Sequence, residues 1–122
     1  MFAVALDADE YTPGQVVEGR AIFRAEKPVT PKHVRLELVW NTRGRGDASG
    51  GVLATADGEI GPVAAGQTVE TPFRVRLPET VPRSFAGELI ELYYAVRGRV
   101  DLPWAFDETA ETEFGVVPAP AD

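Results

Sequence analysis

The sequence predicts an all-β fold, an immunoglobulin-like antiparallel β-sandwich of about seven strands. Twelve glycines and ten prolines divide the 122-residue chain into short segments. Those segments are rich in Val, Phe, Tyr, Thr and Leu, which favour strands. No segment repeats apolar residues at helical spacing. A chain of this length forms one domain, and we expect that domain at residues 1–117, followed by a flexible tail at 118–122.

Residues 33–41 give the clearest strand. Apolar and polar residues alternate there, which predicts one face toward the core and one toward solvent. The predicted core face is Val34, Leu36, Leu38 and Trp40. The predicted solvent face is His33, Arg35, Glu37, Val39 and Asn41.

The same alternation predicts strands at 69–77, 89–100 and 108–117. Their inward residues are Val69, Thr71, Phe73, Val75 and Leu77, then Ile90, Leu92, Tyr94, Val96 and Val100, then Ala110, Thr112, Phe114 and Val116. Pro72 predicts a sheet edge or a bulge, because proline cannot donate to a ladder. Gly98 interrupts an inward face and predicts a bulge. Further strands are expected at Phe2–Leu6, Val16–Arg24 and 52–56.

The connections carry turn residues. Pro13 and Gly14 form a turn, since proline fixes φ and glycine tolerates positive φ. The glycine-rich segment 42–51 is expected to be a hairpin loop. Residues 78–87 form a longer excursion, in which we expect Phe85 to hold the loop against the core and the Ser84 hydroxyl to bond the backbone.

Composition excludes several classes of function. The chain has no cysteine, so disulfides and thiolate metal sites are excluded. Its formal net charge of −7 opposes nucleic acid and anionic membranes as partners. No apolar run approaches the ~20 residues that span a bilayer, so no membrane insertion is expected. The start of the chain lacks a signal-peptide pattern, and a cytoplasmic location is expected.

The sequence does not suggest an enzyme. His33 is the single histidine, and Ser49 and Ser84 are the only serines, so a Ser-His-Asp triad has few candidates. We therefore expect no catalytic residues and no cofactor. The Arg-Gly-Asp tripeptide at 45–47 is read as a chance occurrence in a flexible hairpin. The glycines around it match neither a dinucleotide fingerprint nor a phosphate loop.

Acidic residues cluster in two places, Asp7, Asp9 and Glu10 after one strand, and Asp101, Asp107 and Glu108 after another. They are interpreted as solvated turn residues, with calcium binding as the alternative because Ca²⁺ takes six to eight oxygen ligands.

Five arginines occupy outward positions of predicted strands and are the candidate interaction surface. They are Arg35, Arg74, Arg76, Arg97 and Arg99. If the strands are neighbours, these residues form a basic stripe suited to an acidic partner. The alternative is a salt-bridged solvent face, in which Glu37 and Glu91 pair with the arginines across strands.

An ordered set of short motifs covers most of the chain. These are YTPGQVVEG at 11–19, FRVRLP at 73–78, VPRSFAG at 81–87, YAV at 94–96 and VDLPWAF at 100–106. In this order they resemble the N-terminal lobe of arrestin-like proteins. The bacterial sporulation-control proteins and the arrestin-fold retromer subunit are similar in architecture. The resemblance implies a β-sandwich of the arrestin N-lobe type.

The resemblance also implies a non-catalytic protein–protein interaction scaffold or adaptor. Its partner is expected to be another protein or a second copy of the chain, paired through edge strands. Two departures limit the inference. The chain has room for one lobe instead of two, and Phe2–Leu6 lacks the lysines with which receptor arrestins sense phosphate. The alternative function is a ligand- or carbohydrate-binding sandwich, with Trp104 and Phe106 stacking on a sugar and calcium assisting.

Overall fold

A computed structural model describes residues 1–44, 49–87, 90–103 and 105–118. Several sequence predictions fall outside these residues: the Arg-Gly-Asp tripeptide, Trp104, the inward side chain of Ile90, and the tail beyond Pro118. The described part of the chain is built from strands and contains no helix, and so no helix that could cross a membrane.

Nine β segments follow one another along the chain. They are β1 (Phe2–Leu6), β2 (Glu10–Tyr11), β3 (Val16–Arg24), β4 (His33–Gly44), β5 (Gly50–Gly58), β6 (Thr68–Arg76), β7 (Phe85–Ala86), β8 (Ile90–Asp101) and β9 (Glu108–Val116). β2 and β7 have two residues each, and the other segments have five or more. The described residues therefore form the seven substantial strands that the sequence predicts.

The strands form two sheets packed face to face. The small sheet has three strands in the order β1-β3-β6. The large sheet has six, in the order β2-β9-β8-β4-β5 with β7 paired to β8. β2 runs parallel to β9, and the other pairs are antiparallel. The all-β sandwich is confirmed.

The core fills the space between the sheets. Val34, Leu36 and Leu38 are at most 3% exposed, as the alternation predicts, and Trp40 packs on the core while partly exposed. The solvent-facing prediction for Val39 is wrong, because Val39 is 2% exposed. It pairs directly with fully buried Ala95 in the middle of the large sheet. Neighbouring arginine side chains on that outer face have long stems that can cover such a central site.

The predictions made for Pro72 and Gly98 had different outcomes. The edge prediction for Pro72 is confirmed, because β6 is an outer strand of the small sheet. The bulge prediction for Gly98 is wrong, since β8 pairs in continuous register with β4 and β9 there. Instead, a Cβ on Gly98 would lie 2.9 Å from Phe2 and Val4 of the opposite sheet. The glycine allows the two sheets to approach closely.

The predicted turn before β3 is present. Gly14 has a φ of 86°, and the Gln15 amide donates to the Thr12 carbonyl at 3.0 Å. Proline followed by a positive-φ glycine is the pattern of a type II turn. The Gly14 amide also donates to the Leu77 carbonyl at 2.9 Å, which joins this turn to the end of β6.

β8 and β9 separate at one end and form a fork. Their pairing stops at Tyr94 and Phe114, and β7 then pairs with Leu92 and Glu91 in place of β9. The prediction that Phe85 holds this loop is wrong, since its side chain is 47% exposed.

Two hydroxyl groups hold the fork instead. Ser84 Oγ accepts from the Val116 amide at 3.0 Å, which confirms the predicted bond between this hydroxyl and the backbone. The Tyr94 hydroxyl donates to the Pro82 carbonyl at 2.7 Å. β7 is therefore held against both arms of the fork.

Candidate interaction surfaces

The five arginines of the predicted stripe lie on two different faces. Arg35, Arg97 and Arg99 project from the outer face of the large sheet. Arg74 and Arg76 project from the outer face of the small sheet, because β6 pairs with β3 and not with β4 or β8. The sandwich therefore separates the five residues into two groups, and their role in binding stays a prediction.

The arginines of the large sheet are paired with carboxylates. Arg97 Nη2 lies 3.1 Å from Glu37 Oε1, which is one of the two predicted cross-strand partners. Glu91, the other predicted partner, pairs instead with Arg43, which is not among the five. Arg35 Nε lies 3.7 Å from Asp57 Oδ1, a weaker contact. The salt-bridged interpretation describes this face.

The outer face of the large sheet is also acidic in sum. The strand register and ion pairs place four arginines there against eight carboxylates, a difference of −4. The arginines are Arg35, Arg43, Arg97 and Arg99, and the acids are Glu10, Glu37, Asp57, Glu91, Asp101, Asp107, Glu111 and Glu113. We call this surface the acidic face.

The outer face of the small sheet has the opposite sign. It carries Arg20, Arg24, Arg74 and Arg76 against Glu18 and Glu70, a difference of +2. We call this surface the basic face. Arg20 and Arg24 were not predicted as surface candidates, although they alternate with the buried residues of β3. That alternation was the available signal.

Two arginines of the basic face lack a carboxylate partner within the described residues. Arg74 Nε lies 2.7 Å from Glu18 Oε1, and Arg20 Nη1 lies 3.1 Å from Glu70 Oε1. Arg76 instead donates to the backbone carbonyl of Gly14 at 3.1 Å. Arg24 takes part in no ion pair of the described chain. Both guanidinium groups can therefore bind external anions.

In the second acidic cluster, Asp107 is bonded to an arginine. Arg99 Nε donates to Asp107 Oδ2 at 2.7 Å, and this bond is the main cause that lowers the pKa of Asp107. A second bond, with Asp101, acts in the same direction. Across the described ranges, no three His, Asp or Glu side chains come together as a metal site.

The predicted candidates for a catalytic triad are far apart. His33 pairs with Asp101 at one end of β8, and β7, next to Ser84, pairs with Leu92 at the other. Nine residues of strand separate these ends, which is about 30 Å. The Ser84 hydroxyl is already bonded to the backbone of Val116. Within the described residues, Ser84 and His33 are therefore too far apart to act together in catalysis.

One end of the sandwich has a small open pocket of about 260 Å³. Phe23, Val29 and Leu102 contribute its apolar lining. Phe106 stands at this pocket with its side chain 97% exposed. An exposed aromatic ring of this kind is suited to stacking on a ligand.

The sequence is similar to arrestin-type proteins. The family model of the arrestin (or S-antigen) N-terminal domain matches residues 63–120. Among curated proteins, arrestin domain-containing protein 4 of Mus musculus is 28% identical over 132 residues, covering 88% of this chain and 32% of that protein. These two matches support an arrestin-like domain.

Solved structures agree on the fold. The crystal structure of Spo0M, a sporulation control protein from Bacillus subtilis, superposes on the arrestin-like domain with a TM-score of 0.79 at 18% identity. The match covers 96% of this chain and 48% of that one. The domain thus spans about a third of the curated relative and about half of the solved neighbour. Arrestin-like domains generally mediate protein interactions or adaptor roles.

Two of the four outer strands of this arrestin-like domain are interrupted, β6 in the small sheet and β5 in the large sheet. β6 carries Pro72 in mid-strand, which removes one donor from that edge. At the other edge, the register of β5 on β4 shifts between Leu38 and Val39. Proline and bulges are common devices against edge-to-edge pairing. Val52 of β5 nevertheless remains 47% exposed.

Proposed function

We propose that this arrestin-like domain is a non-catalytic interaction adaptor that docks an acidic segment of a partner protein on its basic face. The observation that supports this most strongly is the excess of two positive charges on that face of a chain whose net charge is −7. An isolated basic surface on an acidic protein attracts an acidic partner and orients it as the two molecules meet.

Arg24 and Arg76 are the residues we expect to carry the affinity. Because neither has a carboxylate partner in the described chain, neither must break an ion pair to bind. Guanidinium groups bind carboxylates with two parallel hydrogen bonds. Pro72 and Ile22 share the outer side of this sheet and supply apolar contact between the charges.

The test uses a fluorescein-labelled polyglutamate peptide and fluorescence anisotropy at low and at physiological ionic strength. The double variant Arg24→Ser/Arg76→Ser is expected to lose most of the binding. Arg35→Ser/Arg99→Ser removes the same charge from the acidic face and is the matched control. We expect the control to bind almost as the parent does.

Equal loss in the two double variants would show that only net charge matters, and it would reject the basic face as the site. Absence of binding by the parent protein at low salt would reject the acidic partner. Thermal melts of all three proteins check that the variants are folded.

A protein partner or a second copy could also pair with β5, although the register shift breaks the edge into two short stretches. Light scattering coupled to gel filtration across a range of concentrations tests self-association. A concentration-dependent dimer that Val52→Glu dissolves would support pairing at β5. A monomer at every concentration would exclude the second copy as partner.

Ligand binding is a second candidate function, favoured by the exposed Phe106 beside the 260 Å³ pocket. A glycan array and a thermal melt with and without Ca²⁺ test it. Binding that Phe106→Ala abolishes would support a carbohydrate site. A blank array together with an unshifted melt would remove this candidate.

A further inference from the structure

The fork between β8 and β9 opens a groove on the surface of the large sheet. Its volume is about 480 Å³, and we call it the β7–β9 groove. Leu92 and Phe114 lie at its base with 9% and 5% of their surface exposed. Phe85 of β7 forms one wall with its ring 47% exposed. The groove is therefore apolar at its base and along one side.

The rim of the groove is acidic. Asp9, Glu91 and Glu113 are among its lining residues, which include no lysine or arginine. The residues on the rim come from three parts of the chain: the segment before β2, β8 and β9. A groove with an apolar base and three carboxylates is complementary to a segment that combines apolar and basic side chains.

A guanidinium group already lies beside this rim. Arg43 reaches from β4 across β8, where its Nη2 donates to Glu113 Oε1 at 2.7 Å. Its Nε lies 3.3 Å from Glu91 Oε2. Its guanidinium carbon stands 3.7 Å above the centroid of the Tyr93 ring, a cation–π contact. Two carboxylates and an aromatic ring thus surround one arginine of the same chain.

We propose that the β7–β9 groove binds an arginine-bearing, partly apolar segment of a partner protein, with Arg43 as its internal competitor. The apolar side chains of that segment contact Phe85, Leu92 and Phe114. Its guanidinium takes the place of Arg43 between Glu91 and Glu113. Arg43 is 48% exposed in its side chain, so it can swing away into solvent without unpacking the core.

This surface is separate from the basic face and selects a segment of the opposite charge. The two proposals can therefore fail independently. An adaptor with both surfaces would hold an acidic segment on one side and a basic segment on the other.

The experiment measures binding of a fluorescein-labelled peptide of alternating arginine and leucine by anisotropy. Glu113→Gln is expected to weaken binding about tenfold, because a hydrogen bond to a charged partner is lost. Glu111→Gln is the matched control: it lies on the same strand, opposite Arg97, and does not line the groove. We expect it to leave the dissociation constant nearly unchanged.

The competitor role of Arg43 has its own pair of variants. Arg43→Gln should tighten binding several-fold, because the internal guanidinium is gone. Arg35→Gln makes the same charge change elsewhere on the acidic face and should not tighten it. Arg24→Ser/Arg76→Ser should bind this peptide as the parent does.

Three results would overturn the proposal. They are equal effects of Glu113→Gln and Glu111→Gln, an unchanged or weaker affinity in Arg43→Gln, and no binding by the parent protein. Tighter peptide binding by Arg43→Gln together with weaker binding by Glu113→Gln would establish the groove as the binding site.

Discussion

Gly14 occupies a backbone conformation that side chains disfavour. Its φ is 86°, and its amide bonds to Leu77 at the end of β6. We predict that Gly14→Ala lowers the free energy of unfolding by about 1–2 kcal/mol, the cost of left-handed backbone for an L-residue. Urea denaturation measures this.

Gly61 is the matched control for Gly14. It has no positive φ, and a Cβ added there would meet nothing within 4 Å. Gly61→Ala should therefore be close to neutral. A Gly14→Ala protein as stable as Gly61→Ala would show that the turn relaxes without strain.

The bond from Arg99 to Asp107 makes a prediction about pH. Because this bond lowers the pKa of Asp107, the carboxylate stabilises the folded state above about pH 4. That contribution is lost as the pH falls toward the lowered pKa. Arg99→Gln should raise the pKa of Asp107 toward its ordinary value, as followed by NMR titration of the carboxyl carbon.

Arg35→Gln is the control for this titration, since Arg35 contacts Asp57 and not Asp107. An equal rise of the Asp107 pKa in both variants would indicate a general field effect. The sequence shows both partners of the Arg99–Asp107 pair. Their proximity depends on how the chain turns between β8 and β9.

The fork between β8 and β9 is held in part by the Ser84 hydroxyl. Ser84 Oγ accepts a hydrogen bond from the Val116 amide. If β9 stayed paired with β8 here, the backbone of β8 would take the place of this hydroxyl. Ser84→Ala leaves that amide without its acceptor. We predict a loss of about 1–3 kcal/mol in the free energy of unfolding, and faster hydrogen exchange at the Val116 amide.

Ser49→Ala removes a comparable hydroxyl from the hairpin between β4 and β5. Ser49 is exposed there, and its described bonds to Thr42 use its backbone atoms. Ser49→Ala should therefore leave both the free energy of unfolding and hydrogen exchange at the Val116 amide unchanged. If hydrogen exchange at the Val116 amide is unchanged in Ser84→Ala, the pairing of β7 with β8 maintains the fork without the serine hydroxyl.

At the scale of elements, the alternation of apolar residues located four of the seven substantial strands, which are β4, β6, β8 and β9. Period-two burial is a local property, so these strands follow directly from it. The other three, β1, β3 and β5, were expected from short apolar segments between turn residues. β2 and β7 were not predicted, because two-residue strands have no periodicity to detect. They exist because β9 and β8 offer unpaired backbone at the fork.

The two sheets approach closely where Gly98 faces Phe2 and Val4. A Cβ there would lie 2.9 Å from both side chains. We predict that Gly98→Ala costs about 1–3 kcal/mol in the free energy of unfolding, as overpacking does. The cost should be smaller in a Phe2→Leu background, since the ring atoms in conflict are gone. A double-mutant cycle in urea measures the coupling.

Gly58→Ala serves as the control, because its added Cβ would be at an ordinary 3.7 Å from Thr71. We expect no coupling of Gly58→Ala with Phe2→Leu. Additive effects of Gly98→Ala and Phe2→Leu would show that the sheets separate to make room.

The sequence by itself determined the all-β class, the number of substantial strands and most of the core, because each depends on local spacing and burial. The order of its motifs also indicated a resemblance to arrestin-like proteins. Only the tertiary structure decided which arginines share a face. Pairing of β6 with β3 places Arg74 with Arg20, whereas pairing of β8 with β4 places Arg97 with Glu37. The sign of a surface depends on which strands are neighbours, and that pairing is non-local.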